Sequence, residues 1–253
     1  MLSRRDLTNR YASSYAGVAW SIGVPLLYAL VNVVVFSILM TGRMGSRYAD
    51  VPFALFYFVP FSLWTLFSEV SMRSTGILRE YSYLINKIAI PVWILPLIPL
   101  ASALLSQLII MAIVAGLMLT KHIVPAETAW VFIVIWALGL LATVGASYLL
   151  SAISLYIPDM AQIVPVLVNI LFWLTPILYP AAIVEASGQA WVTNILMHFN
   201  PFYYLVESSR LAVFGSAEFP WRYVGIFGFV ASVLFLGGVL VFNRLKPGFA
   251  DVI

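Results

Sequence analysis

Cysteine is absent from the chain, so disulfides, thiolate nucleophiles and cysteine metal sites are excluded together, while the redox compartment stays open. Charge is scarce: 9% of residues are Asp, Glu, Lys or Arg, against roughly 25% in a soluble domain. A net charge of +3 is too small to suggest a nucleic-acid partner. Histidine occurs only as His122 and His198, in separate segments between apolar runs, and no serine–histidine–acid constellation, H-E-x-x-H zinc motif or G-x-x-x-x-G-K-[ST] phosphate loop can be read. Asp and Glu stand almost wholly between the apolar runs or at their ends, so the acid and histidine chains of proton-coupled carriers are missing too. The chain is therefore expected to have no catalytic residue, no metal and no cofactor of its own.

What it has in abundance is apolar side chain, 63% of all residues with a mean hydropathy of +1.02, which places it in a bilayer. Crossing a hydrocarbon core of roughly 30 Å takes about 20 apolar residues. Six stretches qualify, near 17–41, 51–72, 92–120, 128–157, 161–180 and 222–243. The first is long enough to stay in the membrane and no cleavage site follows it, so it is not read as a leader. An even number of spans puts both termini on one side. With cytoplasmic termini, eight of the 13 Lys and Arg residues fall inside, the orientation that the positive-inside rule favours. With no internal repeat or separate soluble unit, residues 1–253 read as a single transmembrane domain, all-α and integral to the membrane.

The segments outside the spans carry their own punctuation. Ser3 and Asp6 have capping-box spacing, and at about 100° per residue Leu7, Tyr11, Tyr15 and Val18 share a stripe opposite Arg5, Asn9 and Ser13. The spacing predicts an amphipathic helix over 1–16 lying along the membrane face. Residues 73–91, the largest excursion on the cytoplasmic side, set Arg79, Glu80 and Lys87 among Ile77, Leu78, Tyr81, Leu84 and Ile85, a mixed surface suited to docking in another protein's groove. Pro91, Pro96 and Pro99 then predict a kink at the start of the third span. In 181–221, Asn200, Pro201 and Gly215 bound a helix too short to cross, which is expected to dip into the outer leaflet, with Glu207 and Arg210 pairing at its surface.

Two spans carry polar stripes that lipid does not require. Gly17, Ser21, Pro25, Tyr28 and Asn32 lie together on the first; Gln162, Asn169, Trp173, Pro176 and Pro180 do so on the fifth. Such faces turn toward protein or toward a water-filled path. Amides beside Trp20, Tyr28, Phe172 and Trp173 make a surface that stacks on apolar sugar faces and bonds hydroxyls, so Trp20, Tyr28, Asn32, Asn169, Phe172 and Trp173 are the candidate path-lining residues.

The order of "RDLTNRYASSYAGVAWSIGVPLL", "LINKIAIPVWILPL", "PDMAQIVPVLVNILFWLTPILYP", "NPFYYLVESSRLAVFG" and "FNRLKPGFADVI" resembles the permease subunit of type-2 ABC exporters of polysaccharide, whose members export O-antigen, capsule or teichoic acid. The likeness runs over nearly the whole chain. It implies six transmembrane helices with an N-terminal interfacial helix, outer re-entrant half-helices forming a gate region at 181–221, and a coupling segment at 73–91 in which Arg79, Glu80, Tyr81 and Lys87 meet a separate ABC ATPase. It further implies a homodimer in the bacterial inner membrane, a lipid-linked polysaccharide substrate, and ATP and magnesium held by the partner subunit. Where many members have Arg-Asp after the fourth span, this chain has Pro158-Asp159. Other readings are an exporter of a drug or small lipid, an intramembrane transferase acting on polyprenyl lipids, and a secondary transporter or channel.

Overall fold

The computed structural model describes residues 19–83, 91–215 and 219–252, and its described residues are helical with short connections. The main helices are α1 (Ala19–Leu39), α2 (Phe53–Glu80), α3 (Ile98–Thr120), α4 (Val131–Tyr156) and α5 (Met160–Leu174). They are followed by two short helices, α6 (Ala181–Ala186) and α7 (Ala190–Thr193), a π turn at Asn194–His198, then α8 (Pro201–Phe214), α9 (Trp221–Leu245) and the short α10 (Phe249–Val252). Among the described residues four helical stretches are long and apolar enough to cross a membrane: Phe53–Glu80, Val92–Thr120, Glu127–Tyr156 and Trp221–Gly248. The first and fifth of the six expected stretches appear as shorter apolar helices, Leu26–Leu39 and Met160–Leu174. The expected interfacial helix over 1–16 lies outside the described residues.

α2 is the axis of the molecule, buried along nearly its whole length, and α1, α3, α4, α5 and α8 all pack on it. A large apolar cluster surrounds its first half, from Phe53 to Phe67, with Val131, Phe202 and Phe227. A smaller cluster surrounds its last turn, where Ile77, Leu78 and Tyr81 meet Ile98, Leu155, Phe242 and Phe249. Since α2 spans 28 residues at about 1.5 Å each, these clusters mark ends of the bundle about 40 Å apart. Most hydroxyls on α2 are absorbed locally: Ser62, Thr65 and Ser68 each donate to the carbonyl three residues back, while the buried Ser71 hydroxyl has no such partner.

α4 and α9 approach more closely than side chains normally permit. A Cβ on Gly238 would collide with the carbonyl of Gly145, and one on Gly145 would collide with the backbone of Phe235. Two small residues facing one another let the backbones touch, the small-residue packing used where lipid supplies no hydrophobic drive between helices. The expected kink ahead of the third span is a 3-10 segment at Val92–Leu97 containing Pro96. Its freed carbonyls are capped from α4, with Ser147 donating to Pro96 O at 2.6 Å and Tyr148 to Trp93 O at 3.0 Å.

Two boundaries and one ion pair differ from expectation. The second helix does not stop near residue 72 but runs to Glu80, because Ile77 and Leu78 have a buried apolar destination. The start of 73–91 is thus a continuation of α2, and 84–90 lies outside the described residues. The fifth helix stops at Leu174 instead of continuing to 180, since Thr175 turns extended at ψ 131°. Pro176 and Pro180 therefore leave the helical face assigned to them and are buried. Finally, Glu207 and Arg210 are not a surface pair, as the next section shows.

Candidate functional site

The best-defined polar arrangement stands at the end of the bundle where α2 begins, and it starts with a proline. Pro60 sits inside α2 without an N–H, which leaves the carbonyl of Phe56, four residues back, without its helical donor. Arg210 of α8 supplies one: its Nε donates to Phe56 O at 3.1 Å. The same guanidinium donates through Nη1 to Pro176 O at 2.7 Å and through Nη2 to Ile177 O at 2.6 Å. One fully buried arginine thus satisfies a proline-freed carbonyl of α2 and two carbonyls of the break after α5, with its Cζ 3.5 Å above the Phe56 ring.

Its charge is balanced within the same cluster. Glu207, one turn earlier on α8, places Oε2 3.6 Å from Arg210 Nη1, while its Oε1 accepts from the Tyr48 hydroxyl at 2.8 Å and lies 3.7 Å from Arg47 Nη1. Burial, then the neighbouring Glu207 carboxylate, pushes the Tyr48 phenol well above its ordinary range, so Tyr48 stays protonated and remains a donor. Arg47 is exposed and Glu207 is not, so the connection from solvent to the buried arginine runs through the loop between α1 and α2. The expected surface pair is in fact buried because both residues lie on α8, whose residues from Phe202 to Val213 are all buried. A buried ion pair costs desolvation, which here is offset by three backbone carbonyls and a phenol.

Asn200 completes the arrangement. Its Oδ1 accepts from Phe202 N at 3.0 Å as the cap of α8, and its Nδ2 donates to Thr175 Oγ1 at 2.9 Å and Leu174 O at 3.3 Å. Asn200 and Arg210 therefore bracket the break after α5 from both sides, tying it to the two ends of α8. Beside them lies a pocket of about 280 Å³, lined by residues that include Arg47, Glu185, Tyr203, Glu207 and Tyr223. Chemically the cluster engages most of its donors and acceptors with one another and with backbone, Glu207 Oε2 being met by the ion pair alone, and this fixes the shape of a chain break.

The residues nominated from sequence lie elsewhere. On α1, Tyr28 is 71% exposed and Asn32 donates to Tyr57 Oη of α2 at 3.3 Å; the side chain of Trp20 lies outside the description. On α5, Asn169 and Trp173 are exposed, while Phe172 packs at 5.7 Å on Trp64 of α2. Tyr28, Asn169 and Trp173 are thus unburied on two helices that share α2 as their support, whereas Asn32 and Phe172 also hold α1 and α5 to it. At the other end of the bundle Arg79 donates to Ser154 O and Leu155 O of α4, Glu80 is exposed and lies 3.9 Å from Arg73, and Tyr81 is buried. Lys87 lies outside the described residues. Sequence reasoning missed Tyr48, Asn200's second role and the importance of Arg210. The readable signals were a proline inside a long apolar helix and an arginine among apolar neighbours, each of which implies a distant partner.

A family model described as "ABC-2 type transporter" matches residues 1–214. A relative from Klebsiella pneumoniae named O-antigen export system permease protein RfbA is 24% identical over 259 residues, covering 100% of this chain and 93% of its own length. A second Klebsiella pneumoniae protein of that name is 25% identical over 255 residues with the same coverage. A Myxococcus xanthus protein, also named O-antigen export system permease protein RfbA, is 25% identical over 259 residues, covering 100% of this chain and 94% of its own length.

Proposed function

This chain belongs to the ABC-2 type transporter family, and from that premise we propose that it is the membrane-spanning permease of an ATP-driven exporter that moves a lipid-linked polysaccharide of the O-antigen kind across the bacterial inner membrane. The observation that carries the reading is likeness over the full length of the chain to proteins named as O-antigen export permeases, from two organisms. Two copies of the chain form the pore, six passes each, with both termini in the cytoplasm.

In this account the first and fifth helices line the path. Tyr28, Asn169 and Trp173 are exposed on these two helices, and Asn32, Phe172 and Trp20 share their helices. Aromatic faces at these places offer a passing sugar a series of weak platforms, and amides exchange hydrogen bonds with its hydroxyls, so that no unit is held tightly. The outer gate is the region 181–221, dipping into the leaflet as short helices pinned by Arg210 and Asn200. Energy enters on the opposite side, where the segment 73–91, which carries Glu80 and Lys87, meets a separate ATPase that holds ATP and magnesium.

Purification of the chain together with an ABC ATPase tests the reading. The complex is expected to hydrolyse ATP at a rate that rises with a lipid-linked glycan, whereas a rise with apolar drugs or simple phospholipids and not with glycan would move the assignment to a different substrate class.

A further inference from the structure

α5 has little support along its length. Of its 15 residues Val164 alone is buried, and its apolar and polar side chains, Ile163, Val166, Asn169 and Ile170 among them, project away from the bundle. Phe172 packs on Trp64 of α2, and the helix is otherwise held by its ends. Its upper end is the break bracketed by Asn200 and Arg210. Its lower end is reached from α4 through Ile157, Pro158 and Asp159, a turn with no slack: Ile157 N bonds Ile153 O, Met160 N bonds Ile157 O, Ala161 N bonds Pro158 O, and both Gln162 N and Ile163 N bond Asp159 O, all within 2.9–3.2 Å.

The last carbonyls of α4 have no donors within their own helix. Two of them are held by Arg79, whose Nη2 donates to Ser154 O at 2.7 Å and to Leu155 O at 2.9 Å. A cation at a helix C-terminus also complements the helix dipole. Arg79 is one residue before the end of α2, and Tyr81 just beyond it is buried in the cluster that contains Ala152 and Leu155 of α4. The end of α2 thus grips the last turn of α4 by a polar contact and an apolar one, three residues before α5 starts.

We infer that Arg79 is a positioning residue that transmits displacement of the segment following α2 to α5, through the last turn of α4 and the Ile157–Asp159 turn. The inference rests on the exporter reading above, and it gives Arg79 a role other than direct docking: Arg79 is exposed at the end of α2, as Glu80 is, yet its Nη2 is engaged by two carbonyls of α4. Movement at the ATPase side would then reach α5 at its lower end while the Asn200 and Arg210 contacts hold its upper end.

The test uses the complete complex of permease and ATPase in nanodiscs, with a single nitroxide carried on Ile170→Cys in this cysteine-free chain. Trapping with ATP, magnesium and vanadate is expected to change the spectrum in the otherwise unaltered protein. Arg79→Gln should abolish that change and raise the ATP hydrolysed per glycan exported by about tenfold, since charge-assisted bonds of this kind shift an equilibrium by at least that factor. ATP hydrolysis itself should change little. Arg79→Lys, which keeps the charge and can reach one carbonyl, should restore a good part of the response. Pro158→Gly, which leaves the Arg79 contacts in place and loosens the turn, should lose it again, and this variant carries the test where Arg79→Gln does not assemble. A full spectral response in Arg79→Gln or in Pro158→Gly overturns the inference and leaves the exporter reading standing. No response in the unaltered complex, while glycan still stimulates its ATPase, overturns the placement of α5 on the path and the inference with it.

Discussion

Replacing Arg210 with alanine removes the donor for three buried carbonyls, those of Phe56, Pro176 and Ile177, and leaves Glu207 as a buried charge without its closest cation. A buried acceptor left without a donor costs about 1–3 kcal/mol, and breaking a buried ion pair from one side costs about 3–5 kcal/mol. These overlap, so we expect a total loss of about 4–5 kcal/mol. At roughly 2–4 °C per kcal/mol for a chain of this length, the melting temperature should fall by on the order of 10 °C, measurable by tryptophan fluorescence in detergent or nanodiscs. Arg210→Lys should lose about half as much, because an ammonium retains the charge but cannot serve three carbonyls in different directions. The decisive comparison is the double variant Glu207→Leu with Arg210→Met. If the ion pair were what mattered, an apolar pair of similar volume would be close to neutral. Because the carbonyls would still lack donors, the double variant should remain about 2–3 kcal/mol below the starting protein. Full stability in the double variant, or an unchanged melting temperature in Arg210→Ala, would refute the reasoning from Pro60 and the chain break.

The other predictions concern separate parts of the molecule. Tyr48→Phe removes the donor to Glu207 and should cost about 1–3 kcal/mol in the same melting assay, with no change if the phenol is idle. Gly238→Val puts side-chain volume where the Gly145 carbonyl lies and should separate α4 from α9, seen as lost expression or as aggregation on size exclusion; normal yield would mean that the helices can part without harm. Tyr28→Ala and Trp173→Ala should impair export while stability falls by less than about 1 kcal/mol, because both side chains are largely exposed; a core truncation of that size costs about 3–5 kcal/mol, and a loss of that order would make them packing residues at a contact between copies. Single cysteines at Tyr28 and Trp173 should react with a polar thiol reagent and one at Val233 of α9 should not, whereas equal reactivity at all three contradicts a water-filled path.

Much of the fold could be read from local pattern. Apolar runs located the helices, Asn200-Pro201 located the start of α8, and the prolines around Pro96 located the 3-10 entry to α3, because each of these depends on residues adjacent in sequence. What could not be read depends on partners far along the chain. The early end of α5 is made tolerable by Asn200 and Arg210, more than 20 residues later. The burial of Arg210 depends on Phe56, 154 positions away, and that of Glu207 on Tyr48, 159 positions away. Sequence spacing correctly placed Glu207 and Arg210 on one face of a helix, yet which surroundings that face meets is set by tertiary packing. The contact of Arg79 with the carbonyls of Ser154 and Leu155 could not be read for the same reason, since those partners lie 75 and 76 positions away.

The central claim is that this chain conducts a lipid-linked glycan when, and only when, a partner hydrolyses ATP. Proteoliposomes holding the permease with its ATPase, loaded with a fluorescent lipid-linked glycan on the ATP-accessible face, measure this directly through a membrane-impermeant lectin on the other face. The account predicts lectin capture that requires ATP and magnesium, is absent with either subunit alone and is reduced by Trp173→Ala. Capture that proceeds without ATP, or none from an intact complex whose ATPase is stimulated by the same glycan, would contradict it.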